Sequence, residues 1–410
     1  MTKESILRYA YLSFLFFMLW GWVFRVTILF NQMMLYLICL VPLLLFVFAC
    51  SRVGKKVTLW RLGSFIPFII YSILCYLVQF DTYKVAQWLI CLFILLSAKE
   101  ITDNSISNKF IIGSGLFCFV GILVQMLLPN LYYGFALFFF SNSDQIESWF
   151  SNEIGYAGFT YQLGVTAVIL ILSFFFIISN HKKCNLGKIL LLVIIFVALF
   201  LTGKRSFAAM AVTIPLMISS FKKGNIIKLS FFLLFLGIIG YCLFSFFVQN
   251  IDIFIDVPVV NRFAKSYIGS QMGEDISTGR FDLYEIAYKA FSQSPIFGIG
   301  AGLFKEVTHA YTDVHNAYLQ VLCEQGIIGL ILFIFPLLNI LIDSIQQLRI
   351  ASIRVMPYIE CSVYLQIFYI LYSFTGNTLV DVGCFGFYSI SLALYIKSKT
   401  IIRYENNSKR

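Results

Sequence analysis

Charged side chains are scarce in this sequence. Only 12% of the 410 residues are Asp, Glu, Lys or Arg, and 60% are hydrophobic; a soluble domain carries about twice that charged share. Such a chain lacks the polar groups that cover the surface of a soluble globule. With a mean hydropathy of +0.87, the composition predicts an integral membrane protein.

Metal ligands are also few. The three histidines, His181, His309 and His315, are dispersed, and the ten cysteines include no Cys-x-x-Cys pair. A zinc site needs several such ligands at short spacings, so we predict no metal and no cofactor. The cysteines lie in or beside apolar runs, which favours small apolar residues over disulfide partners.

Long apolar runs recur along the chain, and about 20 apolar residues suffice for a helix to cross a bilayer. We predict an all-α protein with about 12 transmembrane helices in one polytopic domain over residues 1–410. The predicted spans are 9–30, 33–50, 62–80, 83–98, 110–128, 159–179, 187–201, 206–220, 228–248, 316–342, 356–374 and 380–396. The first is interpreted as a retained span, since Arg25 interrupts it and no cleavage site follows.

The distribution of positive charge predicts the orientation. If both termini are cytoplasmic, 21 of the 30 Lys and Arg residues lie on the cytoplasmic side, eight lie outside, and Arg25 lies within the first span. This agrees with the positive-inside rule, so we predict a multi-pass membrane protein with both termini in the cytoplasm. The cations form no single stripe, which argues against a nucleic-acid partner.

Two long segments are predicted on the outer face. Segment 129–158 is acidic and aromatic, and is either a solvated loop or a helix lying in the membrane interface. Segment 249–314 has about 66 residues, a length typical of functional loops. Seven of the eight outward cations lie in this second segment or in the turn 202–205, against the topological rule, so we expect them to have a function.

Within the longer segment, residues 280–293 are predicted to form a helix. Four aromatic residues recur at helical spacing along one side: Phe281, Tyr284, Tyr288 and Phe291. This pattern suits a short helix that rests on the bundle or on the membrane surface. Ser294 and Pro295 end the helix, and the glycines in 298–302 permit tight turns.

Two arginines are candidates for an anion site. Arg205 follows Lys204 where one span ends and the next begins, so the next helix adds its N-terminal dipole. Arg280 opens the loop helix. Arginine offers permanent charge and paired donors to phosphate. The alternatives are a snorkelling interfacial residue at Arg205 and a solvated helix-end charge at Arg280.

A histidine is the candidate general base. His315 lies just before a predicted span, between Asp313 and Asn316, and histidine exchanges protons near neutral pH. The alternative is a polar cap on the following helix, with Asp313 bonding its amides. Glu324 and Gln325 lie about two turns further, a depth that requires a protein interior or a watery cavity. Glu324 either positions the base or substrate or forms a structural hydrogen bond.

Four motifs in this region occur in a characteristic order. They are Gly279-Arg280-Phe281-Asp282-Leu283-Tyr284-Glu285, Ser294-Pro295-Ile296-Phe297-Gly298-Ile299-Gly300, His315-Asn316-Ala317-Tyr318-Leu319 and Glu324-Gln325-Gly326-Ile327-Ile328-Gly329. Over roughly 200–345, the chain resembles bacterial O-antigen polymerases and O-antigen ligases. The resemblance implies a multi-span glycosyltransferase of the C-type class that needs neither nucleotide nor metal.

The resemblance also implies a substrate and a site. The donor is an undecaprenyl-diphosphate-linked oligosaccharide at the outer face of the bacterial inner membrane, with Arg205 and Arg280 binding the diphosphate and His315 deprotonating the acceptor hydroxyl. We expect further substrate contacts from Lys204, Asn316 and Glu324. Membrane lipid, a chain-length regulator and a flippase are the expected partners.

The acceptor separates two enzymes of this class. Ligases often show His-x-His-Asn, whereas this chain has Asp313-Val314-His315-Asn316, so we favour a polymerase for O-antigen, capsule or a similar polysaccharide. The alternative is an O-antigen ligase that transfers polymer to the lipid A core. A transporter of lipid-linked sugars or solutes is a further alternative, because about 12 spans also describe many transporters.

Overall fold

A computed structural model of the chain describes residues 64–79, 105–139, 155–180, 185–222, 279–379 and 382–407, together with isolated residues between these ranges. In this part of the chain the regular elements are helical. They are α1 (Ile66–Val78), α2 (Ser105–Leu127), α3 (Pro129–Phe139), α4 (Leu163–Ile178), α5 (Leu186–Leu201), α6 (Arg205–Lys222), α7 (Arg280–Gln293), α8 (Phe304–Thr308), α9 (Ala317–Ile350), α10 (Met356–Tyr372) and α11 (Val382–Asn407).

Several of the described helices are apolar, which is consistent with a membrane protein. Helices α2 and α9 are long and apolar enough to cross a bilayer, and α1, α4, α5 and most of α6 are shorter apolar helices. Each predicted span within the described ranges contains a helix. Four predicted spans, 9–30, 33–50, 83–98 and 228–248, lie largely outside the described residues. The number of about 12 spans therefore stays a prediction.

Part of each predicted outer segment is described. Residues 129–139 of the first form helix α3, whose Leu131, Phe135 and Phe138 are exposed. This part of the segment is therefore a helix with exposed apolar side chains, and its place in the membrane interface stays a prediction. Residues 279–314 of the second contain α7 and α8; most of its earlier part lies outside the described residues, as do Arg25 and His181.

The chain divides into two compact units. The first contains the described residues before position 111 and from position 279 onward; the second contains those of 111–278. In the second unit α4 is the central helix, because nearly all of its side chains are buried. Its Ser173 hydroxyl donates to the Ile111 carbonyl at 2.8 Å and so ties α4 to α2.

In the first unit, polar side chains join α9, α10 and α11. The Gln366 amide on α10 donates to the hydroxyls of Ser344 and Ser362 at 2.9 Å each. Ser362 in turn donates to the Ser391 carbonyl of α11 at 2.6 Å. In lipid there is no hydrophobic driving force between apolar helices, so interhelical hydrogen bonds of this kind help to hold such bundles together. Helix α9 of this group also packs against the segment 279–314.

Candidate functional site

Helix α7 begins at Arg280 because the preceding glycine turns the chain sharply. Gly279 has a φ of 78°, and a Cβ on it would lie 2.7 Å from the Tyr311 hydroxyl. Only glycine combines that backbone conformation with so close a neighbour. The end of the loop thus passes over the start of α7, and Arg280 is half-buried there.

Helix α7 packs on the bundle through small residues, not through its aromatic side. Leu283, Ala287 and Ala290 are buried in a cluster that also contains Phe304, Val314 and Cys323. Two alanines let α7 approach α9 closely. Phe281 and Tyr288 remain 68% and 62% exposed. The sequence left open whether the aromatic side rests on the bundle or on the membrane surface. For Phe281 and Tyr288 the structure excludes the bundle.

Helix α9 is interrupted at Gly326, and the loop fills the interruption. Gly326 has φ 67° and ψ −168°, a combination that only glycine adopts readily. Residues 295–300, here called the strap, lie against the break. Four backbone hydrogen bonds join the two: Ile299 N to Cys323 O at 2.9 Å, Gly300 N to Glu324 O at 3.0 Å, Ile327 N to Pro295 O at 3.0 Å and Ile328 N to Ile296 O at 3.5 Å.

These bonds explain why two of the sequence motifs occur together. A helix break in a membrane span leaves backbone groups without partners, which is tolerated only where protein or water satisfies them. The Ser-Pro-Ile-Phe-Gly-Ile-Gly motif forms the strap, and the Glu-Gln-Gly-Ile-Ile-Gly motif forms the break. Each motif therefore supplies the hydrogen-bond partners of the other.

Helix α1 supports the break from another direction. The Tyr71 hydroxyl donates to the Gln325 carbonyl at 3.2 Å, and the Ser72 hydroxyl donates to the Gln325 Oε1 atom at 3.3 Å. Gln325 is buried, so these contacts satisfy its side chain and its backbone at the kink. The sequence contained no signal for Tyr71 or Ser72, because they lie more than 250 positions away.

Glu324 lies in the protein interior, with only 4% of its surface exposed. Its carboxylate accepts a hydrogen bond from the Gln320 side chain at 3.3 Å and interacts with the backbone N–H groups of Gly302 and Phe304. It therefore joins α9 to the loop just beyond the strap. Of the roles expected from the sequence, these contacts match the structural hydrogen bond; a role in positioning the base or the substrate stays a prediction.

Asn316 caps helix α9. Its Oδ1 atom accepts from the backbone N–H groups of Tyr318 at 3.0 Å and Leu319 at 3.1 Å. The expected polar cap is therefore present at Asn316. Asp313 instead lies 3.8 Å from the Lys305 ammonium group.

His315 is held between this cap and the C-terminal end of α10. Its φ is 56° and its side chain is half-buried. Two residues after His315, Ala317 donates its backbone N–H to the Ser373 carbonyl at 2.8 Å, and the Tyr318 hydroxyl donates to the Ile370 carbonyl at 3.0 Å. Because both neighbours on α9 are bonded to α10, the position of His315 is set by the bundle.

Substituting Asn316 tests its role as the cap of helix α9. Asn316→Ala removes the acceptor and should cost about 1 kcal/mol of stability, measurable as a lower unfolding temperature of the purified protein. Asn316→Asp and Asn316→Ser keep an acceptor and should unfold near the wild-type temperature. If Asn316→Ala unfolds at the wild-type temperature, the cap does not contribute to stability.

The second unit holds Lys204 and Arg205 in a tight turn. Thr202 ends α5, its hydroxyl donates to the Leu199 carbonyl at 2.7 Å, and it accepts from the Lys204 N–H at 3.3 Å. Gly203 follows with φ 71°, and Arg205 is the first residue of α6. Both basic side chains are half-buried, at a helix N-terminus that favours anions.

A second loop fixes this turn. The Tyr156 N–H donates to the Leu201 carbonyl at 3.0 Å, and Gly155 lies so close to Thr202 that a side chain on it would overlap the Thr202 carbonyl. Nearby, the Gly158 N–H donates to the Gln125 side chain at 2.9 Å. The turn that carries Arg205 is therefore rigidly supported within its own unit.

Four of the six predicted site residues belong to the first unit: Arg280, His315, Asn316 and Glu324. Lys204 and Arg205 belong to the other unit, and their participation in the same site stays a prediction. His309 ends α8 and is exposed. Among the described residues, no group of three or more His, Cys, Asp or Glu side chains is placed to hold a metal ion.

Comparison with known families confirms the resemblance. The family model described as O-antigen ligase matches residues 190–334, about a third of the chain. The matched stretch contains α7, the strap, His315 and the break in α9, and it also contains Arg205. No curated protein matches the chain. The match supports the O-antigen ligase and polymerase family, whose members are glycosyltransferase-like membrane enzymes.

Proposed function

We propose that this protein is a polymerase of lipid-linked oligosaccharide repeat units. It transfers a growing glycan from undecaprenyl diphosphate to a sugar hydroxyl of the next repeat unit, at the outer face of the bacterial inner membrane. The observation that carries the proposal is the outer loop of the first unit. There His315 and Arg280 are half-buried on a backbone that α9 and α10 hold in place.

In the proposed reaction His315 is the general base. The acceptor oxygen attacks the anomeric carbon, and its proton passes to the neutral imidazole. The bond from that carbon to the diphosphate breaks, and its electron pair stays on the leaving oxygen. Arg280 and Arg205 offset the negative charge that develops there, since fixed cations stabilise such charge more than mobile water does.

A rigid loop suits this chemistry. Reacting groups contribute most when their positions are set before the substrate arrives. The strap bonds to both sides of the break in α9, and Glu324 joins the same helix to Gly302 and Phe304. Asn316, which precedes α9, uses its Oδ1 atom for the cap. We propose that the N–H groups of its side-chain amide bind the substrate.

The main alternative is an O-antigen ligase, and the matched family model carries that description. The two enzymes share a donor and differ in the acceptor. The sequence favours the polymerase through Asp313, which stands where ligases often have the first histidine of His-x-His-Asn. In the structure Asp313 faces Lys305 at 3.8 Å.

A transporter is the less favoured alternative. Transporters often contain interrupted helices whose free backbone groups bind ions or substrate, and α9 is interrupted. However, the carbonyls of Cys323 and Glu324 and the N–H groups of Ile327 and Ile328 are bonded to the strap. The break in α9 therefore offers these groups to the protein's own loop instead of to a transported solute.

Deleting the gene distinguishes the two enzymes. Surface glycan from the deletion strain would be separated on a gel, and lipid extracts would be probed for carrier-linked sugar. A polymerase defect leaves single repeat units on the surface acceptor and no ladder. A ligase defect instead leaves full-length polymer on the lipid carrier, and that outcome would reject the polymerase. Expression of the wild-type chain from a plasmid is the control.

A further inference from the structure

Helix α7 carries three different faces. Leu283, Ala287 and Ala290 are buried against the bundle. Glu285 and Lys289 form an exposed ion pair of 2.6 Å, and this contact lowers the pKa of Glu285. At 3.6 residues per turn, the aromatic side lies about a third of a turn from each of these two faces. Exposed apolar residues that are grouped on one face, unlike scattered ones, mark a contact surface.

The aromatic face forms a row of two ring pairs. Phe281 lies 6.2 Å from Tyr284 and Tyr288 lies 6.3 Å from Phe291, measured between ring centroids. Tyr284 and Phe291 are half-buried beside the bundle, whereas Phe281 and Tyr288 point outward and are exposed. The row therefore begins at the edge of the packed core and extends away from it.

The strap continues this apolar surface toward α9. Ile296 and Phe297 are both exposed, and they follow the end of α7 by only a few residues. The Phe297 backbone nitrogen lies in close contact with Gly326, where the second part of α9 begins. The exposed pair is thereby fixed beside the start of the apolar span.

The span itself presents a lipid-facing stripe. Exposed apolar residues recur along α9 beyond the break: Ile327, Ile331, Phe335, Leu338 and Ile342. Their spacing of three or four residues places them on one side of the helix. Since α9 is long and apolar enough to cross a bilayer, this side faces hydrocarbon. The end of this side that is nearest the break meets Ile296 and Phe297.

We propose that the aromatic face of α7 and the exposed residues of the strap insert into the lipid headgroup boundary at the N-terminal end of α9. Helix α7 then lies in the plane of the membrane, with Leu283 on the bundle, Phe281 and Tyr288 in lipid, and Glu285 in water. Aromatic rings favour this boundary, and tyrosine keeps its hydroxyl among the headgroups.

Insertion fixes the depth of the first residue of α7. Arg280 then lies at the level of the lipid phosphates, which is also the level of a lipid-linked diphosphate. This consequence rests on the proposed function. The insertion of α7 does not, because it follows from the exposed apolar surface alone.

Photo-crosslinking tests the insertion in the full-length protein. A benzophenone-bearing phenylalanine replaces Phe281 or Tyr288, the protein is reconstituted in nanodiscs of phosphatidylethanolamine and phosphatidylglycerol, and the intact mass is measured after illumination. Phe335, on the lipid-facing stripe, is the control for lipid contact, and Glu285 is the control for water. We expect one-lipid adducts at positions 281 and 288 in yields near that of position 335 and several-fold above that of position 285.

Three outcomes would overturn the proposal. A crosslinked dimer at positions 281 and 288 would show that a second copy of the chain covers the aromatic face. A crosslink within the same chain would show that another segment covers it. Yields as low as that at Glu285 would place the face in water. If the deletion strain still made a glycan ladder, the polymerase would be rejected, but the crosslinking yields at positions 281 and 288 would not change.

Discussion

Replacing His315 with alanine should abolish the glycan ladder while the protein stays in the membrane. A general base contributes about 10²–10⁴-fold to a rate, so polymer should fall below detection on a gel. The side chain is half-buried and follows a chain reversal at φ 56°, and the start of α9 is fixed by Asn316 and Ser373. We therefore expect chemistry to be lost with little change in fold.

The chain supplies a matched control for this substitution. His309 lies in the same loop at φ 55°, nearly the same backbone conformation as His315. His309→Ala therefore carries the same backbone cost as His315→Ala, because alanine resists left-handed φ equally at both positions. We expect the ladder of the His309 variant to match the wild type.

A further variant separates folding from catalysis. Asparagine tolerates the left-handed region better than alanine, so His315→Asn should accumulate in the membrane at least as well as His315→Ala and still make no ladder. Membrane abundance would be measured by immunoblot beside each glycan gel. A normal ladder in either His315 variant would reject the general-base role.

The sequence predicted the helices of this protein better than their contacts. Apolar runs identify buried or lipid-exposed helices directly, and spans such as 187–201 and 356–374 correspond to α5 and α10. The loop helix was also predicted, with the bounds that α7 has. The side of α7 that packs on the bundle was not predicted, because the regular spacing of the aromatic residues is a more conspicuous pattern than the spacing of Leu283, Ala287 and Ala290.

The candidate site was predicted as a set of residues, and its architecture was not. The sequence places the polar residues His315 and Asn316 just before a predicted span, but it left open whether they are catalytic or form a helix cap. The structure assigns the cap to Asn316 and leaves the catalytic role of His315 as a proposal. The fit of the strap into the break depends on backbone hydrogen bonds, and these leave no pattern in side-chain chemistry.

The glycines of the two motifs do indicate that the two segments lie close together. Gly326 and Gly298 both have positive φ, and a Cβ on either would overlap the backbone of the other segment: Ile296 for Gly326 and Glu324 for Gly298. Backbone atoms cannot swing aside as the end of a flexible side chain can. The strap and α9 can therefore approach to hydrogen-bonding distance only where both segments lack side chains.

Gly326→Ala should accordingly be among the most destabilising single substitutions in the chain. A backbone conformation restricted to glycine costs about 1–3 kcal/mol for another residue, and each buried backbone group that loses its partner costs about 1–3 kcal/mol more. We expect a loss of at least about 3 kcal/mol, seen as low membrane abundance and an aggregated profile in detergent. The matched control is Gly113→Ala in α2, where a Cβ meets nothing within 4 Å; it should be neutral or slightly stabilising.

Combining the two glycine substitutions tests whether the strap and the break act as one element. If each single variant already separates the strap from α9, Gly298→Ala adds little to Gly326→Ala, because the same hydrogen bonds are lost only once. The double variant should then unfold near the temperature of the worse single variant. Additive losses would mean that the two glycines act independently. A Gly326→Ala protein as stable as the wild type would mean that the break in α9 is not held by the strap.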